Sequence, residues 1–398
     1  MKKLLMRFLI CILLVVSAVQ ALADADVSSK KVSQPSHIDR GVLPYGCGTC
    51  HVGNEFKYGG GSNRCLLCHG KKTKETAGWK RDDKQDTVDV SQDFTKNYRH
   101  PVFDKRGIHR SKEILPEINP SAPRHADCGD CHNVHQLSMN EPYRGKKGKK
   151  TGNLVTDISK EYELCYLCHA ESANLPFRST NKRMEFNVTN PSFHPVEGEG
   201  RNLKVVSLIR PYREKKTEPN DVSIIKCADC HGSDDPKSPK GPHGSIYPGL
   251  LVDNFSSGDN VVENSFTYSL CYRCHKRSSI LGNESFPFHS RHITGENKFK
   301  GGGTSCNTCH SSHGSVENRY LIRFNRDFVS PSSTGKLKFV EKGSYSFQGE
   351  CWLTCHGVDH NPMKYPADII VVPASTLPSG TSPAVVVPAA SAPAAVKK

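Results

Sequence analysis

Seven times the chain places two cysteines three positions apart and follows the second directly with histidine. These are Cys47–Cys50–His51, Cys65–Cys68–His69, Cys128–Cys131–His132, Cys165–Cys168–His169, Cys227–Cys230–His231, Cys271–Cys274–His275 and Cys306–Cys309–His310. An eighth motif, Cys351-Trp352-Leu353-Thr354-Cys355-His356, has three residues between its cysteines. C-x-x-C-H is the attachment signal for c-type haem. Two thiols must reach two vinyl groups on one porphyrin edge, and the adjacent imidazole must turn under the ring to bind iron. One helical turn does both. A three-residue spacer permits it with a small local distortion. Zinc knuckles and disulfides also use paired cysteines, but neither requires histidine directly after the second one. Apart from Cys11 in the N-terminal apolar run, no cysteine is left over. The expected cofactors are eight covalent haem c groups.

The motif histidines account for eight of the 19 in the chain. Eleven others could supply the second axial ligand: His37, His100, His109, His125, His135, His194, His243, His289, His292, His313 and His360. Methionine is scarce, with Met139, Met184 and Met363 outside the N-terminal segment. Bis-histidine ligation is therefore expected, and with it fairly low potentials, because methionine ligation raises them. A repeat of roughly 80 to 100 residues, each carrying two motifs with an early and a late histidine, narrows the choice. It selects His37, His100, His135, His194, His243, His289, His313 and His360 as distal ligands, leaving His109, His125 and His292 in reserve. His135 and His313 lie three residues after a motif histidine. Such a residue does not readily reach the opposite face of its own iron, so each is expected to serve a neighbouring haem. His289 and His292 compete for one role, and the haem that His360 serves is left open.

With its paired motifs, its C-H-x-x-H strings at His132/His135 and His310/His313 and its His-Pro-Val strings at 100 and 194, the chain resembles the multihaem c-type cytochromes of dissimilatory metal-reducing bacteria. The resemblance covers about residues 37–366. It implies short helices and long loops around closely packed bis-histidine haems, and a role in electron transfer. The spacer at Cys351 departs from the common motif, and the first unit lacks an early histidine between its two motifs.

These side chains must be positioned by a chain poor in conventional core. Hydrophobic residues are 36% and aromatics 8%, against 32 Gly and 25 Pro, which argues against a large α/β enzyme. The expected class is mainly irregular and α: short helices and long loops wrapped around eight covalently bound haems, whose porphyrins supply apolar surface. The divisions expected are a signal peptide (1–23), haem pairs at 24–110, 111–205, 206–297 and 298–366, and a Pro/Ala/Ser-rich flexible tail (367–398). The signal reading rests on Lys2, Lys3 and Arg7, an apolar run to Val19 and the Ala21-Leu22-Ala23 cleavage pattern. No other segment approaches the length of a membrane span.

Net charge is +14 for the full sequence. Nucleic acid is the usual partner of such an excess, but export and haem attachment argue against it. Ionised haem propionates would offset much of it. Two basic loops, at 71–74 and 144–150, are expected as solvated flexible faces, with docking to an acidic redox partner as the alternative. The function expected is electron transfer without a substrate of its own, from a quinol-oxidising complex to outer-membrane cytochromes or an extracellular acceptor. The expected location is periplasmic, with extracellular as the alternative. An octahaem reductase for nitrite, hydroxylamine or tetrathionate is the competing enzyme reading, and it requires one open iron position. A filament or porin–cytochrome subunit shares the chemistry of the carrier and differs in assembly. The sequence leaves the oligomeric state open.

Overall fold

The structure, a computed structural model, describes residues 37–38, 43, 45–53, 55–56, 62–71, 89–103, 108–109, 113, 115–116, 124–138, 140–171, 174–175, 179–202, 204–295, 302–344 and 346–365. The expected signal peptide and the expected tail lie outside the described residues.

Helices are short and centred on the cysteine motifs. α1 (Ser62–His69), α2 (Cys128–Cys131), α3 (Glu161–His169), α5 (Cys227–Cys230) and α6 (Ser269–Tyr272) carry motif residues. Single 3-10 turns at Gly46–Thr49 and Cys306–Thr308 do the same for the first and seventh motifs. α4 (Lys182–Phe186), α7 (Arg277–Leu281) and α8 (His289–Thr294) carry no motif cysteine. The turns are encoded locally. Asp130 and Asp229 stand just before the second cysteine of their motifs, and each accepts a hydrogen bond from the backbone N–H three residues earlier, at 2.7 Å. In α3 Glu163 does the same for Lys160 at 3.3 Å, and Asn181 caps α4 through the N–H groups of Arg183 and Met184.

Small antiparallel sheets are as prominent as the helices, a feature the composition did not announce. β1 (His51–Val52) pairs with β2 (Glu55–Phe56), and β4 (Lys147–Thr151) with β5 (Leu154–Asp157). The basic run at 144–150, expected as a loop, is thus half strand. Two further ribbons form a matched set. β3 (Tyr98–Arg99) pairs with β7 (Gly244–Ser245), and β6 (Ser192–Phe193) with β8 (Gly314–Ser315). The three-stranded sheet of β9 (Lys338–Glu341), β10 (Gly349–Cys355) and β11 (Val358–Tyr365) closes the described chain, with β10 in the middle.

Two compact units are resolved: residues up to 58 with 131–146, and residues 59–130 with 147 onward. Buried apolar side chains are scattered along the second unit rather than gathered in one core. Phe94 and Val102 flank His100, Phe193 and Val196 flank His194, and Leu164 and Tyr166 adjoin the fourth motif. Among the described residues no helix is long and apolar enough to cross a membrane.

Candidate metal-ligating histidine pairs

Two imidazoles bound to opposite sides of one metal have a fixed separation. A metal–nitrogen bond of about 2 Å on each side, plus about 1.1 Å from each nitrogen to its ring centre, puts the centroids roughly 6.2 Å apart. The ring planes stay free to rotate about that axis.

Among the described residues, six such histidine pairs are seen. In the first unit, His51 and His135 are 6.2 Å apart with planes 20° from parallel. In the second unit the pairs are His100–His169 at 6.5 Å, His194–His275 at 6.5 Å, His231–His313 at 6.2 Å, His289–His310 at 6.3 Å and His292–His360 at 6.4 Å. Five of the six join a histidine of a C-x-x-C-H motif to one from elsewhere in the chain. His135 and His313 each lie against the histidine of a motif two earlier, rather than the one beside them. His289 and His292 each stand beside another histidine.

The backbone that delivers these rings is duplicated. The His100 N–H donates to His243 O at 3.3 Å, extending the β3–β7 ribbon, and the His194 N–H donates to His313 O at 2.9 Å, extending β6–β8. His100 Nδ1 then faces Pro242 O at 2.5 Å, and His194 Nδ1 faces Ser312 O at 2.6 Å. In each copy a glycine follows the histidine of the second strand. A Cβ at Gly244 would lie 1.7 Å from Asp93 O, and one at Gly314 1.9 Å from Glu185 O.

A carbonyl facing Nδ1 fixes the tautomer, with the proton on Nδ1 and the lone pair on Nε2. The same arrangement holds for His231 with Gly249 O at 2.8 Å, His310 with Tyr320 O at 2.7 Å, His292 with Phe288 O at 2.8 Å and His132 with Pro142 O at 3.0 Å. His275 Nδ1 meets Ser207 Oγ at 2.8 Å. His313 Nδ1 meets the Glu185 carboxylate at 3.1 Å, and Lys182 and Arg323 also bind that carboxylate, at 2.9 and 2.7 Å. Burial works against the Glu185 charge, but the hydrogen bonds from His313 and Lys182 win and hold the carboxyl well below its usual range.

Burial also keeps the rings neutral, the form that binds metal. It pushes His169 down to about 4, helped by His100, and His275 down to about 4, helped by His194 and His310. His289 goes to about 3 through burial, then His310 and His292. Burial likewise lowers His100, His194, His231, His310 and His360.

Consecutive motifs touch through their thiols. The Cys65 thiol is hydrogen-bonded to Cys128 and, together with burial, raises it far above its usual value. Cys271 is similarly paired with Cys306. Burial, with Cys274 next, pushes Cys230 up to about 12, and burial, with Cys351 and Cys355 next, does so for Cys309.

The remaining candidates are placed as follows. His37 and His69 are half-buried, His69 closing α1. His243 lies 5.6 Å from the Phe94 ring, edge to face. His132 stacks on Tyr143 at 5.8 Å. His356 Nε2 lies 2.9 Å from Asp259 Oδ2. His109 and His125 stack at 4.1 Å and, with Glu113, bring three ligand-type atoms within 4.8 Å of one another. Among the described residues no cysteine belongs to such a cluster, an arrangement unlike a thiolate zinc site.

A family model described as outer membrane cytochrome MtrC/MtrF-like, domains II/IV, matches residues 125–320, the stretch holding the third to seventh motifs. The match supports a multihaem c-type cytochrome of the metal-reducing type. A 47-residue segment is 45% identical to the large ribosomal subunit protein bL32 of Bordetella petrii, covering 12% of this chain and 75% of that protein. So short a segment cannot hold motifs that run from residue 47 to residue 356. No solved structure matches.

Proposed function

We propose that the chain is an octahaem c-type cytochrome that passes electrons along a row of bis-histidine haems. The observation that carries this reading is the repeated 6.2–6.5 Å separation, which joins five motif histidines to a second imidazole. Iron held between two imidazoles supplies one-electron oxidation and reduction with little change in ligation.

The chain's own part is positional. Carbonyls at Pro242, Ser312, Gly249 and Tyr320 orient the rings so that Nε2 points inward. Burial holds the imidazoles neutral and keeps competing water away. At those five motifs, filling both axial positions would leave no site for a substrate, which favours a carrier over a reductase. The cysteines of motifs 2 and 3, and of motifs 5 to 8 in succession, stand near one another, which supports electron steps between those neighbours. The eight motifs supply Cys47, Cys50, Cys65, Cys68, Cys128, Cys131, Cys165, Cys168, Cys227, Cys230, Cys271, Cys274, Cys306, Cys309, Cys351 and Cys355 as thioether donors. Their partners are redox proteins: a quinol-oxidising complex on one side, outer-membrane cytochromes or an extracellular acceptor on the other. The matching family is named for the outer membrane; together with the N-terminal signal pattern, this supports export to the periplasm or the outer surface.

Intact mass and quantitative EPR test the reading. The mature protein is expected to carry eight haems, all low-spin when oxidised. A haem-free chain overturns it. One high-spin iron per molecule in the unmodified protein redirects it toward a reductase.

A further inference from the structure

The two duplicated ribbons share more than their strands. Each is preceded by an acid–phenylalanine pair, Asp93-Phe94 ahead of β3 and Glu185-Phe186 at the end of α4. Phe94 stands edge to face with His243 at 5.6 Å, and Phe186 with His313 at 5.2 Å. A lysine three residues away binds each acid. Lys96 reaches Asp93 at 2.7 Å, and Lys182 reaches Glu185 at 2.9 Å. Both acids are buried.

The copies differ in what else the carboxylate holds. Asp93 accepts hydrogen bonds from Ser233 and Ser238, at 2.8 and 3.2 Å. Glu185, one methylene longer, bonds a histidine of the paired set. Its Oε2 meets His313 Nδ1 at 3.1 Å as well as Lys182 Nζ, and its Oε1 meets Arg323 Nη1 and Thr180 Oγ1, both at 2.7 Å. Four donors on two oxygens keep the group ionised in spite of burial.

His100, His194, His231, His292 and His310 each turn Nδ1 to a neutral backbone carbonyl, and His275 turns it to a hydroxyl. His313 turns it to a full negative charge. A carbonyl and a carboxylate both fix the tautomer, but a carboxylate also raises the basicity of the ring. A more basic axial ligand favours the ferric state of the iron it binds.

Lys182 and Arg323 carry the opposite sign, and the charge cluster lies where two motifs meet. The Ala228 N–H in α5 donates to Glu161 in α3 at 2.8 Å, joining the fifth motif to the fourth. Burial lowers the proton affinity of both His231 and His169, and the Lys182 charge adds to it in each case.

Resting on the haem reading above, we propose that Glu185 is a positioning residue for the iron between His231 and His313: acting through His313, its carboxylate holds that iron's potential down, and Lys182 and Arg323 limit how far. The balance of these three charges then decides how readily an electron rests on the fifth-motif iron rather than on its fourth-motif neighbour.

The test is a redox titration of the full protein followed by EPR, on variants whose haem content is first fixed by intact mass. Glu185→Gln removes the charge and keeps the shape. It is expected to load eight haems, to raise the potential of one, and to move the g-values of one low-spin signal. His313→Met identifies that signal as the one it abolishes. Arg323→Gln and Lys182→Gln are expected to shift the same haem the opposite way, Arg323→Gln by less because that side chain is half exposed. Loosened packing would move all three variants alike, so shifts of one sign overturn the assignment. Unchanged potentials in Glu185→Gln overturn it too, as does a responding signal that survives His313→Met. Should Glu185→Gln fail to load haem, the two cation variants decide: a lowered potential upholds the assignment and an unchanged one overturns it. An unmodified protein without haem instead overturns the functional reading on which the proposal rests.

Discussion

The sixth and eighth motifs end alike, in Cys-His, yet the backbone around that histidine differs. In the sixth, Cys271 lies in α6 and His275 follows the helical turn to stand 6.5 Å from His194. In the eighth, the cysteines lie on β10 and the adjacent histidine sits in a type I′ turn. One added residue between the cysteines does not merely stretch the motif. It accompanies a run, Cys-Trp-Leu-Thr-Cys, with apolar and β-prone residues at strand spacing, followed by His-Gly, which suits a turn that needs positive φ.

The largest expected effect lies at the sixth motif. His275→Ala should convert one iron to high-spin and loosen the surrounding fold. Spin-counted EPR on the variant against the unmodified protein checks it, and an unchanged low-spin count would deny the His194–His275 pair.

Next in size is the duplicated ribbon that supports the helical region. Gly314→Ala sets a Cβ 1.9 Å from Glu185 O, and Gly244→Ala sets one 1.7 Å from Asp93 O. Backbone must move, at a cost of about 1–3 kcal/mol or more in each case. Gly357 in the hairpin turn has open space around it and only its φ of 73° to defend, so Gly357→Ala should cost about 1 kcal/mol. Thermal melting of the three variants should rank them in that order.

The Glu185 carboxylate supplies a pH-dependent test of the helical region. It receives His313, Lys182 and Arg323 and is almost buried. Its folded-state affinity for protons is depressed, so its stabilisation is present above the ordinary glutamate range, near pH 4.3, and is lost as pH falls below it. Glu185→Gln should lower the melting temperature at pH 7, and the gap to the unmodified protein should close between about pH 4.3 and lower values. A gap that stays constant with pH would deny the ion-pair account.

Asp259→Asn is expected to be the mildest change. It weakens the partner of His356, a part-exposed pair worth no more than about 1 kcal/mol. The spin state should not respond at all.

Much of the local structure was legible. Asp130 and Asp229 signal their own helical turns from within the motifs, and the His-Pro-Val strings mark the two ribbons. His292 was harder to place. Its neighbour His360 is distant in sequence, and only the i, i+3 spacing with His289 hinted that one helical stretch could enter two histidine pairs. The strand at the eighth motif was missed because the Cys-His ending outweighed the alternation before it and the His-Gly turn after it.

The sequence by itself determined which residues can do the chemistry: the paired thiols, the histidines beside them, and a surplus of histidine large enough to offer each motif a second imidazole. That follows from spacing within a few residues, which local backbone geometry translates directly. Only the tertiary structure decided which imidazole faces which. Those partners come from separate ribbons, helices and a hairpin, and their separation is set by short sheets and buried carbonyls that join distant parts of the chain. A ligand pair needs two ring nitrogens on one line, and no local pattern fixes a line between segments that meet only when the chain has folded.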